Sequence, residues 1–151
     1  MRRRQYGLDV RTNLTVEDLG DFLEEPLVAV LATLRRDGSI QLSPVWHEWR
    51  DGGFNVWIPI DDVKARHLRR DPRATIVVAE SASPLRGVEV RTVARFIEER
   101  VAETAKRIAA RYIGEEEGAA YVKSLGGADL IVRLEPGDLR VWDFADEYGS
   151  D

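Results

Sequence analysis

The stretch Lys64-Ala-Arg-His-Leu-Arg-Arg-Asp-Pro-Arg73 separates two apolar runs that are typical of β-strands, Phe54-Asn-Val-Trp-Ile58 and Ala74-Thr-Ile-Val-Val-Ala79. This order predicts a short basic helix that follows one strand and precedes the next. The helix is strongly basic, although the formal net charge of the chain is −5. Positive charge beside a strand end suits an anionic group, and phosphate is a common ligand of this kind.

A solvated helix face explains the same charge without any ligand. Lys64, Lys106 and Lys123 are the lysines of the chain, and arginine is used at all other Lys/Arg positions. A GC-rich genome would enrich arginine through its codons alone. Arg69, Arg70 and Arg73 are expected to face water. The charge by itself therefore leaves both interpretations open.

A β-hairpin is predicted upstream of the basic segment. Val28-Ala-Val-Leu-Ala-Thr-Leu-Arg35 runs into Asp37-Gly38, and Ser39-Ile-Gln-Leu-Ser-Pro-Val-Trp46 follows. Asp-Gly between two runs of β-forming residues is the strongest short-range signal for a hairpin. Proline has no backbone N–H, so Pro44 marks an edge strand or a bulge in the second strand.

The remaining pattern predicts a mainly β, α+β domain with six to seven antiparallel strands and peripheral helices. Thr15 is expected to begin a first helix. Strands are predicted over 27–35, 39–49, 54–59, 73–80, 88–100, 130–134 and 138–144, and helices over 61–70, 101–113 and 115–125. Residues 13–146 are expected to form one domain, between flexible tails at 1–12 and 147–151.

Composition narrows the classes of function. Cysteine is absent, which excludes disulfides and a thiol nucleophile. No apolar run approaches about 20 residues, so no membrane span and no membrane partner are expected. The sequence pI near 5.2 argues against nucleic acid as the main partner. These features predict a soluble, cytoplasmic protein.

Residues that could carry chemistry are few. The two histidines, His47 and His67, have no second ligand type at metal spacing, so no metal site is predicted. We expect His67 to be a surface residue of the basic helix. No nucleophile with a partner base can be located, and no catalytic side chain is predicted. This pattern suits an enzyme whose cofactor performs the chemistry.

Five features in this order resemble the pyridoxamine 5'-phosphate oxidase-like split β-barrel superfamily. They are the Asp-Gly hairpin, the Ser43-Pro-Val45 strand, the third strand, the basic Lys64–Arg73 segment and the strand after it. The similarity is greatest to the superfamily's branch of flavin- and deazaflavin-dependent oxidoreductases and covers residues 15–144. The resemblance implies an antiparallel split β-barrel and a homodimer whose cofactor lies in a groove shared by two subunits. The implied cofactor is FMN or the 8-hydroxy-5-deazaflavin coenzyme F-420.

The resemblance also implies a set of cofactor-binding residues. Lys64 would hold the cofactor phosphate. Arg66 lies two residues further on and is a candidate for the same anion, although a solvated helix face explains it equally well. The strand that carries Ser43, Pro44, Val45 and Trp46 would bind the polar edge of the ring. Trp57 and Ile58 occupy the strand position that contacts the ring and the ribityl chain in the family.

Two departures from the family pattern bear on this assignment. Relatives often have a small or hydroxyl residue near Trp57, whose bulk could either stack on a ring or fill the pocket. Relatives commonly have a basic residue just before Lys64, where this chain has Asp61-Asp62-Val63. Carboxylates beside a phosphate site oppose anion binding.

Two functions follow as hypotheses. In the first, the protein is an FMN- or F-420-dependent oxidoreductase that transfers hydride between the reduced ring and a small electron-poor organic acceptor. In the second, the same barrel binds or sequesters a flavin, haem or tetrapyrrole without turnover.

Overall fold

The computed structural model describes residues 14–144 of the chain, so the predicted tails lie outside the described residues. Its strands are β1 (Ala29–Leu34), β2 (Ile40–Arg50), β3 (Gly53–Pro59), β4 (Arg73–Ala79), β5 (Gly87–Val93), β6 (Arg95–Ile97), β7 (Asp129–Leu134) and β8 (Asp138–Trp142). Its α-helices are α1 (Val63–Arg70), α2 (Val101–Ile113) and α3 (Glu115–Ser124).

The strands form one antiparallel sheet in the order β6-β7-β3-β2-β1-β4-β5-β8. The long strand β2 joins its two halves. Residues Ile40–Val45 pair with β1, and residues Trp46–Arg50 pair with β3. The predicted fold class, an antiparallel α+β split barrel with peripheral helices, is confirmed. The described part of the chain has eight strands instead of six or seven, and the sheet is not closed.

The extra strand arises where a single strand was predicted over 88–100. The chain changes partners at Ala94, whose N–H donates to the Pro72 carbonyl at 2.8 Å instead of joining a ladder. Before this point β5 pairs with β4 and β8, and after it β6 pairs with β7. Alternation of apolar residues continues through the change, which is why the sequence pattern did not reveal it.

The helix predicted from Thr15 is replaced by two short 3₁₀ helices, Val16–Leu19 and Phe22–Glu24. Gly20 separates them with a φ of 64°, which a regular helix does not allow. The apolar side chains of this segment pack inward, and Leu19, Phe22 and Leu23 are buried. The prediction of a helix that begins at Thr15 was therefore right about its start and wrong about the helix type.

Two apolar clusters stabilise the fold. The larger fills the barrel and includes Leu31, Phe54 and Ile76, which are fully buried. The smaller lies between the sheet and the α2–α3 pair and includes Trp57 and Ile108. Leu68 of α1 is buried against the barrel. Within residues 14–144, no helix is both long and apolar enough to cross a membrane.

Candidate functional site

Asp62, the N-cap residue of helix α1, also pairs with the lysine of the candidate site. Asp62 precedes the helix, and its Oδ1 accepts a hydrogen bond of 2.9 Å from the backbone N–H of Lys64. The same oxygen lies 2.9 Å from Lys64 Nζ, and the Lys64 side chain is only 13% exposed. Burial opposes ionisation of Asp62, but the contacts from Lys64 outweigh it and lower the pKa of this carboxyl. The Lys64 ammonium is therefore already paired with a carboxylate.

Lys64 lies on the wall of a cavity of about 340 Å³ between β2, β3, α1 and α3. The cavity is lined by Val28, Pro44, Val45, Trp46, Trp57, Ile58, Pro59, Lys64, Tyr121 and Leu125. Six of the eight predicted cofactor-binding residues are among them: Pro44, Val45, Trp46, Trp57, Ile58 and Lys64. The structure thus brings residues from three separate sequence motifs to one place.

The aromatic side of the cavity is built by cross-strand pairing. Trp46 and Trp57 are direct partners on β2 and β3, and their ring centroids are 6.1 Å apart. Tyr121 of α3 packs edge-on against Trp57 at 5.5 Å. The Trp57 indole N–H donates to Asp129 Oδ2 at 2.7 Å, which fixes the ring in the wall. Trp57 therefore bounds the cavity and leaves it open.

Ser43 and Arg66, the other two predicted site residues, do not line this cavity. Ser43 is buried, and because side chains alternate along β2 it projects to the face opposite Pro44. Its hydroxyl accepts a hydrogen bond of 3.3 Å from Gln41 Nε2. Arg66 lines a separate cleft with Arg35, Arg36, Arg69 and Arg70. Arg69, Arg70 and Arg73 are exposed, as predicted.

The sequence did not nominate the part of the site that comes from α3. Tyr121 and Leu125 line the cavity, and Tyr112 of α2 stacks on the outer side of Trp46 with centroids 4.9 Å apart. A signal existed in Gly118-Ala-Ala-Tyr121, where a large aromatic residue follows three small ones. Gly118 allows close approach of the helices, since a Cβ there would lie 2.9 Å from the backbone nitrogen of Ala110.

The prediction that His67 is a surface residue is wrong. Its ring is only 6% exposed, and a hydrogen bond of 2.9 Å joins its Nδ1 to Thr33 Oγ1 on β1. The turn of α1 that carries His67 faces the barrel instead of solvent. Burial, followed by the charges of Arg70, Arg35 and Arg66, lowers the pKa of His67.

His47 is fully buried beside the site. The Tyr112 hydroxyl donates to the Leu27 carbonyl at 2.8 Å and lies 3.0 Å from His47 Nδ1. His47 Nε2 has no hydrogen-bond partner, and the ring packs edge-on against Phe54. This histidine is a neutral core residue.

The chemistry of the cavity follows from these side chains. Most of its lining is apolar or aromatic, and Lys64 supplies one cation. Such a site fits a flat organic ring that carries an anionic group. Residues 14–144 contain no group of His, Cys, Asp and Glu side chains suited to holding a metal ion.

The fold and the cavity define a split β-barrel protein with an aromatic pocket at a strand–helix junction. A family model described as pyridoxamine 5'-phosphate oxidase matches residues 15–143, and the chain belongs to this family. No curated protein matches the chain significantly.

Several solved structures share the fold. The conserved hypothetical protein Rv2991 from Mycobacterium tuberculosis is 26% identical, with a TM-score of 0.79 over 93% of this chain and 92% of its own. HutZ, the heme storage protein from Vibrio cholerae, is 21% identical, with a TM-score of 0.70 over 88% and 98%. An F-420 reductase is 21% identical, with a TM-score of 0.64 over 80% and 94%. The last two show similarity of fold alone.

Proposed function

We propose that the protein is an oxidoreductase that binds FMN or the deazaflavin coenzyme F-420 in the Trp46–Trp57 cavity. When bound and reduced, a ring of either kind would supply a hydride to a small electron-poor organic acceptor and become oxidised as the acceptor is reduced. The chain's own residues bind and orient the cofactor, and no side chain is assigned as an acid or base. Membership of the pyridoxamine 5'-phosphate oxidase family and the existence of an F-420 reductase with this fold support the proposal.

The observation that carries the proposal is the pairing of two tryptophans with one lysine around a single cavity. Aromatic walls suit a planar ring, and a volume of about 340 Å³ falls in the range of small-molecule sites. Lys64 lies at the edge of this wall and is the proposed partner of the cofactor phosphate. Asp62 opposes this role because it already pairs with Lys64.

The second candidate is a binding protein without turnover, and the fold shared with the heme storage protein HutZ is its support. Haem iron in proteins is held by His, Cys, Met or Tyr. Neither His47 nor His67 lines the cavity, and the chain has no cysteine. Tyr121 is then the side chain of the cavity wall that offers a ligand atom to iron. Because the cavity wall offers iron one tyrosine and no histidine, we favour a flavin over haem.

Spectroscopy of the purified chain distinguishes these functions. We expect bound FMN to give an absorption maximum at about 450 nm, or the bound deazaflavin coenzyme one at about 420 nm. In either case the ring should quench tryptophan fluorescence. Haem should bind more weakly than either. Tight haem binding that is lost in Tyr121→Phe, together with no uptake of FMN or F-420, would instead support the non-catalytic function.

The proposed active form is a homodimer. Ile40, Leu42 and Pro44 alternate along β2, so they project to one face, and the exposed fractions of Ile40 and Leu42 are 59% and 68%. Pro44 also lines the cavity, as does Val28, which is 52% exposed. A second copy packed on this strip would cover apolar surface and close the open side of the cavity.

Sedimentation tests the dimer. At micromolar concentration the chain is expected to sediment at about twice its mass of 17.1 kDa. Leu42→Glu places a charge on the proposed interface and should yield monomers with weaker cofactor binding. Val93→Glu is the matched control, because Val93 is 62% exposed on β5. A wild-type monomer that binds cofactor fully would count against the shared groove.

A further inference from the structure

A second, strongly basic cleft lies on the other side of helix α1. We call it the arginine cleft and define it by Arg35 and Arg36 of the β1–β2 turn and Arg66, Arg69 and Arg70 of α1. Its volume is about 900 Å³, larger than that of the Trp46–Trp57 cavity. We propose that the arginine cleft is an anion-binding site, distinct from the cofactor cavity, for a compound with several phosphate or carboxylate groups.

The positive charge of the arginine cleft is compensated only in part. Seven arginines in the described part of the chain have a carboxylate partner within 4.0 Å, and all seven lie outside the arginine cleft. Asp37 is the acidic residue of the cleft wall, and its carboxylate, which accepts hydrogen bonds from the N–H and hydroxyl of Ser39 at 2.9 and 2.6 Å, offsets one positive charge. Five guanidinium groups lie against this one carboxylate, so the cleft lining keeps an excess of positive charge in a chain of net charge −5.

Two side chains of the arginine cleft are held in place by backbone carbonyls. Arg35 donates to the Ile40 carbonyl at 2.9 Å, and Arg70 donates to the Leu34 carbonyl at 2.5 Å. Backbone carbonyls fix these two side chains at the cleft without neutralising them. The side chains of Arg36 and Arg66 have no hydrogen-bond partner and no carboxylate within 4.0 Å among residues 14–144, so their planar donors are available for phosphate or carboxylate oxygens.

The arginine cleft is separate from the Trp46–Trp57 cavity. Lys64 and Arg66 are two residues apart on a helix, which rotates their side chains by roughly 200° around its axis. No residue of the arginine cleft lines the Trp46–Trp57 cavity. The charge of Lys64 is taken up by Asp62, whereas the arginine cleft retains an excess of positive charge. Two anion sites of different character therefore flank one helix.

The ligand class follows from the lining. The arginine cleft presents several guanidinium forks and lacks the tryptophan and tyrosine rings of the cavity, and His67 contributes the one ring of its lining. Arginine binds phosphate and carboxylate groups through paired N–H donors, and several such groups are needed to neutralise the excess of positive charge. A polyphosphate or polycarboxylate without a required ring satisfies both conditions. The proposal does not depend on the function assigned to the cavity.

Isothermal titration of inorganic tripolyphosphate into the full chain tests the proposal, with citrate as the polycarboxylate probe. We expect binding that weakens as salt rises, since the contacts are charge–charge. Arg36→Gln/Arg66→Gln should weaken it roughly tenfold to a hundredfold. Both side chains are exposed, so folding should not change. The tighter of the two probes identifies the phosphate or the carboxylate class.

Arg50→Gln/Arg95→Gln is the matched control, because it removes the same charge from exposed residues outside the arginine cleft. It should alter the affinity by less than about threefold, and so should Lys64→Ala, which removes a charge outside the arginine cleft. Absence of binding by both probes, an equal loss in the control, or loss of binding in Lys64→Ala would overturn the proposal. Tighter binding of a single-stranded RNA with the same arginine dependence would overturn it in favour of nucleic acid.

Discussion

Lys64→Ala is expected to weaken the binding of FMN or F-420 roughly tenfold to a hundredfold. The substitution would remove the proposed charge-assisted contact to the cofactor phosphate, and contacts of this kind contribute about 1.5–3 kcal/mol. The free energy of unfolding should also fall, because the Lys64 side chain is only 13% exposed and its loss leaves the Asp62 carboxylate without its cation. Titration by flavin fluorescence measures the affinity, and unchanged affinity for both cofactors would remove Lys64 from the site.

Asp62→Asn is the companion variant and should act in the opposite direction. Asparagine caps a helix about as well as aspartate, so α1 should keep its N-terminus while Lys64 loses its carboxylate partner. Affinity for the phosphate-bearing cofactor should rise roughly threefold to tenfold. A fall in affinity would show that Asp62 positions Lys64 instead of competing with the phosphate.

A fall in pH is expected to destabilise the folded chain at pH values well above those at which carboxylates titrate. Burial and the charge of Arg111 lower the pKa of His47 to about 3, and the charge of Glu48 opposes this shift only in part. The unfolded chain binds a proton at this histidine below about pH 6.5, whereas the folded chain does not until about pH 3. Stability is therefore lost as the pH falls through 6.5, and the loss continues toward pH 3.

Between pH 7 and pH 5 this difference should cost about 2 kcal/mol in the free energy of unfolding. His67 adds to the slope in the same direction, because its pKa is also lowered. Urea denaturation at several pH values measures the slope. In His47→Gln the dependence of the free energy of unfolding on pH should become weaker. His67→Gln removes the contribution of His67 and leaves that of His47. A slope in His47→Gln equal to that of the wild type would contradict the neutral, buried state of His47.

Local patterns were sufficient to predict most of the fold. The Asp37-Gly38 turn, the basic helix and the amphipathic helix over 101–113 lie where short-range periodicity placed them. The change of partner at Ala94 was not predictable, because inward and outward alternation persists while the hydrogen-bond partner changes. The 3₁₀ geometry around Gly20 was likewise hidden, since apolar spacing does not distinguish it from an α-helix over so few residues.

The site was predictable where it follows the strands and helix α1, and not where it depends on distant packing. Trp46 and Trp57 were nominated separately, and only the β2–β3 register makes them partners. Tyr121 comes from a helix that is far away in sequence. The arginine cleft combines a turn with a helix, so the sequence showed its charges but not that they lack carboxylate partners.

A crystal structure of the protein with FMN or F-420 bound tests the central claim most directly. The account predicts the ring against Trp46 and Trp57 in the cavity of about 340 Å³, with the cofactor phosphate within hydrogen-bond distance of Lys64 Nζ. The Lys64–Asp62 contact of 2.9 Å should lengthen as the phosphate takes the place of the carboxylate. A ring bound elsewhere, or a phosphate held without Lys64, would contradict the account.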